Sequence, residues 1–250
     1  MTNAAADPRG KVTTNTALAY VTCFLGIYAA FDILPIVLPK EDVLQGVRWG
    51  DLADAPLLFG LLCAWIVLGL QAGLWRNTPL RLANAFALAL LIQGHGIHLA
   101  ANTISAYLDA SSAGWRPAYF LDEHWGHTEL HLGILLEAAI FVVAAKQTLG
   151  LRSGQRALLL LLAGVFGLFL TADAIEGQTV PLMLPAGIVL AALLVLRKGR
   201  GAAIHSTFFA TAGVTLVLAL LGYGAWHGGT FPEHDWHIWQ LLTEGREHCC

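Results

Sequence analysis

The sequence predicts an all-α, polytopic membrane protein: a seven-transmembrane-helix bundle with its N-terminus cytoplasmic and its C-terminus outside. Three observations carry this reading. Of the 250 residues, 56% are apolar and 12% are charged, against about 25% charged in an ordinary soluble chain. Seven apolar stretches come close to or exceed the about 20 residues that a helix needs to cross a hydrocarbon core ~30 Å thick. The cations gather in alternate connections and the acids in the others.

The stretches run over 17–38, 55–75, 82–108, 125–145, 157–177, 178–196 and 204–226. The first is too long for the apolar region of a signal peptide and lacks a small-residue cleavage site ahead of Asp32, so it reads as a spanning helix. The fifth and sixth nearly touch, and Gly177 and Pro181 are expected to supply the tight turn between them. The chain therefore divides into a cytoplasmic tail (1–16), a transmembrane domain (17–226) and an outer tail rich in histidine and tryptophan (227–250).

Orientation follows from charge. Arg9 and Lys11 precede the first helix, Arg76 and Arg81 flank the second connection, Lys146, Arg152 and Arg156 the fourth, and Arg197, Lys198 and Arg200 the sixth. These are ten of the fourteen cations, with Asp7 the one acid beside them. The opposite connections carry Glu41, Asp42, Asp51, Asp54, Asp109, Asp122, Glu123, Asp173 and Glu176. Lys and Arg are retained on the cytoplasmic side. Trp49, Trp115, Trp125, Trp226, Trp236 and Trp239 fall near the outer boundary, where indole is favoured. The partner is the lipid bilayer, in the plasma membrane or a bacterial inner membrane. A net charge of -3 argues against nucleic acid. Cys23 and Cys63 read as apolar packing residues, and the terminal Cys249 and Cys250 match neither CxxC nor CaaX.

Histidine carries the chemistry. Nine of the ten, at 95, 98, 124, 127, 131, 227, 234, 237 and 248, belong to the outer half or the outer tail, and His205 lies at the cytoplasmic end. His95, His98 and Asn102 share one helical stripe, as do His124, His127 and His131. At 1.5 Å rise per residue, His95 lies roughly 20 Å from the outer end of its helix and His98 roughly 15 Å. Gly94 and Gly96 bare the backbone beside them for close approach by a neighbour. The two helices follow one another in the chain, so their stripes are expected to converge.

This spacing makes His95, His98, His127 and His131 the expected ligands of one divalent metal ion (Zn, Fe or Cu), with Glu123, Asp173 or Glu176 completing the site and serving as catalytic carboxylates. Asp32 and Glu137 are further intramembrane acids that need a partner. The alternative for the same residues is a hydrogen-bonded polar core or a proton relay. The sequence holds no GxSxG, P-loop, HExxH or GxGxxG motif. No lysine lies mid-way along the last helix to carry a retinal Schiff base. Two histidines can bind haem, but the surrounding carboxylates suit a non-haem ion.

The expected function is a metal-dependent membrane enzyme, a hydrolase or an oxidoreductase, acting at the outer face on a lipidic or apolar substrate. The alternatives are a metal-ion or proton transporter and an accessory subunit with a structural metal. The topology is open to direct test. A C-terminal alkaline phosphatase fusion should be active and a C-terminal green fluorescent fusion dark. The reverse pair of results would overturn the orientation.

Overall fold

The computed structural model describes residues 13–39, 41–44, 47–105, 107–109, 111–145, 150–196 and 203–232. The terminal histidines His234, His237 and His248, the two terminal cysteines, and six of the ten orienting cations (Arg9, Lys11, Lys146, Arg197, Lys198, Arg200) lie outside the described residues. Among the described residues the chain is almost entirely helical, and six helices are long and apolar enough to cross a membrane.

Helix α1 (Thr14–Val37) starts behind Thr13, whose hydroxyl accepts the Thr16 N–H at 3.2 Å. A short antiparallel hairpin follows, β1 (Asp42–Leu44) and β2 (Val47–Arg48). Helix α2 (Trp49–Ala72) begins six residues ahead of the apolar run at 55. Asp51 is the cause. Its carboxylate accepts from the Arg48 backbone N–H (3.1 Å), Nε (3.0 Å) and Nη2 (2.9 Å), which closes the first helical turn. The early start carries Asp54 out of the expected loop and into a buried helical position.

Helix α3 (Thr78–Ser105) is followed by α4 (Trp115–Tyr119), a π-helical segment (Phe120–Gly126) and α5 (His127–Ala144), which together run as one span from Trp115 to Ala144. Helix α6 (Ser153–Glu176) turns into α7 (Val180–Leu196) through Gln178, which takes a left-handed φ of 50°. The positive φ therefore falls on Gln178 rather than on Gly177, and Pro181 lies in the first turn of α7, where its missing N–H costs nothing. Helix α7 is apolar but has 17 residues, shorter than the six long spans. Helix α8 (Ile204–Trp226) packs along α6 and α7.

Two features position the site. The first is a crossing of α3 with the π segment and α5 so close that backbone meets backbone. A Cβ at Gly94 would collide with the Leu130 amide, one at Gly126 would lie 2.8 Å from the His98 nitrogen, and one at Gly133 would lie 2.7 Å from the Ala87 oxygen. Contacts that descend on α3 as they ascend on α5 make the pair antiparallel. In lipid, where there is no hydrophobic drive between helices, such small-residue contacts let backbones approach and pack. Gly96 has nothing within 4 Å, so the expected role of the glycine pair falls to Gly94 alone.

The second feature is an aromatic block across the middle of the bundle. Phe24 packs edge-on against Trp65 (4.6 Å between centroids) and Phe166 (5.5 Å), Trp65 stacks on Phe209 (5.3 Å), and Tyr28 caps the group edge-on to Phe166 (4.8 Å). Such pairs contribute about 0.5–1.5 kcal/mol each beyond area burial.

The crossing gives a sharp contrast between two glycines two residues apart. Gly94→Ala should destabilise by about 1–3 kcal/mol, the usual cost of overpacking, read as a lowered Tm in detergent. Gly96→Ala should match or exceed the parent. Equal Tm values for the two variants would contradict the close crossing.

Candidate metal centre

All the cavity-lining polar groups sit at one end of the bundle, formed by the C-terminal halves of α1, α3 and α6 and the N-terminal turns of α2 and α5. They surround a cavity of about 750 Å³, within the range of small-molecule sites. The α3 stripe His95, His98 and Asn102 faces it, as do His127 and His131 of α5. The four imidazoles form a continuous series: His95 to His98 is 5.9 Å between ring centroids, His98 to His127 4.4 Å, and His127 to His131 5.9 Å.

Each imidazole has its own neighbour. His95 Nε2 lies 3.2 Å from Asp54 Oδ1, and its ring rests against Phe31 at 4.8 Å. His98 Nδ1 lies 2.6 Å from Asp122 Oδ1. His127 Nδ1 lies 3.5 Å from Glu123 Oε2. One ligand atom from each of His98, Asp122 and His127 falls within 4.8 Å of the others, the spacing of a shared ion. His131 Nδ1 is hydrogen-bonded to Thr179 Oγ1 at 2.7 Å, while its Nε2 is buried with no hydrogen-bond partner among the described residues.

The π segment explains which acid joins the histidines. Its i→i+5 ladder widens the helix by one residue per turn, and such segments gather at functional sites. Here it buries Asp122 against α3 and turns His124 away, toward Tyr119 and Phe120 at 6.3 and 5.6 Å between centroids. The expected stripe of His124, His127 and His131 is thereby broken at its first member. Gly177, past the end of α6, closes the other side: a Cβ there would lie 2.5 Å from His127 Cγ.

The carboxylates divide into two sets. Asp122 and Glu123 attend the imidazoles. Asp32, Asp54, Asp173 and Glu176 line the cavity, and Asp173 accepts a hydrogen bond from the Tyr28 hydroxyl at 2.8 Å. Arg48, the one Lys or Arg on the wall among the described residues, is held by Asp51. The hydrogen bond to that carboxylate raises its pKa above the ordinary value, so its charge is spent locally.

Comparisons with protein-family models, curated proteins and solved structures found no match to this chain.

Of the residues singled out from sequence, His95, His98, His127, His131, Asp173 and Glu176 meet at one cavity, and Glu123 stands behind His127. Glu137 is buried further along α5, off the cavity wall, and its oxygens have no hydrogen-bond partner among the described residues. His205 pairs with Gln71 at 3.0 Å near the cytoplasmic end of the predicted topology, and His227 lies against Tyr223. Four functional candidates escaped the sequence reading: Asp54, Asp122, Tyr28 and Thr179. Asp54 and Asp122 were counted as loop acids, and Tyr28 carried a signal in its i, i+4 spacing to Asp32.

Proposed function

We propose that this chain is a seven-span integral membrane protein, N-terminus inside and α7 counted as a span, that works as a metal-dependent enzyme at the outer face. The single observation that carries the reading is the trio His98, Asp122 and His127 beside a cavity of about 750 Å³. The donor chemistry fits a divalent ion. Two imidazoles and one carboxylate are the protein ligands of many hydrolytic zinc sites and of non-haem Fe(II) oxygenases, both of which leave positions open for substrate. Bound there, the ion would supply Lewis acidity toward water or a redox centre for oxygen.

The chain's own groups have separable tasks in this reading. Glu123 orients the His127 ring from behind, as outer carboxylates do for metal-binding histidines. Thr179 fixes the His131 ring and leaves Nε2 turned to the cavity as a proton acceptor or donor. Asp173 is held by Tyr28, and Glu176 joins it on the same face of α6, one turn away. His95 with Asp54 forms a second acid–imidazole pair, next to His98 on α3. Transport is less well supported, because a conducting path needs polar groups that continue through the bundle. Beneath Tyr28 the aromatic block of Phe24, Trp65, Phe166 and Phe209 takes their place.

Elemental analysis of the purified, detergent-solubilised protein tests this directly. The parent should carry a transition metal near one ion per chain, whose identity separates the zinc hydrolase from the iron or copper oxidoreductase. His98→Ala and Asp122→Asn should lose it, and Glu123→Gln should weaken binding by about 10–100-fold. His205→Ala should bind as the parent does. A metal-free parent, or equal metal in all variants, would overturn the proposal.

A further inference from the structure

We infer that the cavity is loaded sideways from the bilayer, through the gap between the ends of α1 and α6, by a single-chain amphiphile with a cationic amine headgroup. The inference names the substrate class of the site proposed above and rests on that reading for its chemistry, though not for its binding.

The route is visible in which residues the wall shares with the molecular surface. Ile33 on α1 is 43% exposed and Ala172 on α6 is exposed, yet both line the cavity. Ile33 is adjacent in sequence to Asp32, so consecutive residues of one helix turn face the polar centre and the lipid side. On α6, Phe169, Ala172, Asp173 and Glu176 form one stripe, apolar at its start and acidic at its end. Across this gap Tyr28 touches Phe169 at 6.2 Å between centroids, and Asp173 at 2.8 Å. The small side chain of Ala172 leaves the space open. Both helices are long and apolar enough to cross a membrane, so this opening lies beside the bilayer, near its outer interface.

The headgroup follows from charge. Five carboxylates line the cavity (Asp32, Asp51, Asp54, Asp173, Glu176) against the guanidinium of Arg48, already bound to Asp51. A divalent ion at the trio would leave this balance negative. An anionic headgroup would meet like charge in a site of low dielectric, where repulsion is strong. An ammonium group offers three donors to acceptors that lack them. Asp32 Oδ2 is such an acceptor: it is buried and has no hydrogen-bond partner among the described residues. An alkyl chain then lies back along Phe169, Ala172 and Ile33 to the bilayer.

The test is photo-crosslinking of the full chain in lipid nanodiscs with a diazirine-bearing long-chain alkylamine and the fatty acid of equal length. The amine should label α1 and α6 saturably and be competed by unlabelled alkylamine, with the fatty acid labelling at least tenfold less. Asp32→Asn should reduce that preference, and Ala172→Trp or, independently, Ile33→Trp should lower amine labelling about tenfold while metal content stays at the parent level. His98→Ala should lose metal and keep the labelling, which separates failure of this proposal from failure of the metal centre. Equal labelling by amine and acid, labelling spread evenly over the lipid-facing helices, or parental labelling in both tryptophan variants would overturn it.

Discussion

The site depends on the backbone contact between α3 and the span that contains α5. Gly94, Gly126 and Gly133 let the two helices approach until amide and carbonyl groups replace side chains at the crossing. That distance puts the His98 and His127 rings 4.4 Å apart and brings Asp122 within reach of both. A single methyl at Gly94 or Gly126 would push the helices apart by more than the tolerance of a metal site, whose ligand distances hold within about 0.2 Å. Packing and chemistry are therefore one constraint here. The glycines serve the ligands, and the ligands give the close crossing its purpose.

A second consequence concerns the placement of polar groups in an apolar solvent. A charged side chain at the bilayer centre costs at least about 2.5 kcal/mol, yet this chain places five carboxylates and four imidazoles around one cavity between its helices. Most have a neighbour of opposite character: Asp54 meets His95, Asp173 meets Tyr28, and Asp122 meets His98. The aromatic block below Tyr28 bounds this polar region, and on its far side His205 makes a separate pair with Gln71. A polar end and an apolar middle are what a pocket open to one leaflet requires. A channel would have to pass its cargo through the aromatic layer, where no acceptor is offered.

The architecture and half of the site were legible in the sequence for physical reasons. Hydropathy over some 20 residues locates stretches suited to lipid, and six of the seven expected spans are helices long and apolar enough to cross a membrane. The 3.6-residue period placed His95, His98 and Asn102 on one face of α3, and all three line the cavity. What could not be read depends on local backbone choices. The π segment changes the period inside a single span, so the same spacing that aligned His124 with His127 on paper separates them in the fold and brings in Asp122 instead. Likewise, hydropathy starts α2 at 55, whereas the Arg48–Asp51 interaction starts it at Trp49 and buries Asp54. Thr179 owes its contact with His131 to a turn whose positive φ sits on Gln178, a residue with no strong preference for it.

The division of the acids bears on what kind of chemistry the cavity favours. A metal centre that only held the fold together would be closed, with its ligands saturated by protein groups. Here the trio contributes two imidazoles and one carboxylate, and the remaining acids stand off along the cavity instead of completing the shell. Asp173 accepts a hydrogen bond from a phenol, and the His131 ring is held by Thr179 on the cavity wall. Groups held at that remove are placed to exchange protons with a molecule lying between them and the ion. Under the proposed function the trio and the acidic wall would share one reaction volume, with α3 and α5 on the side of the ion and α1 and α6 on the side of the acids.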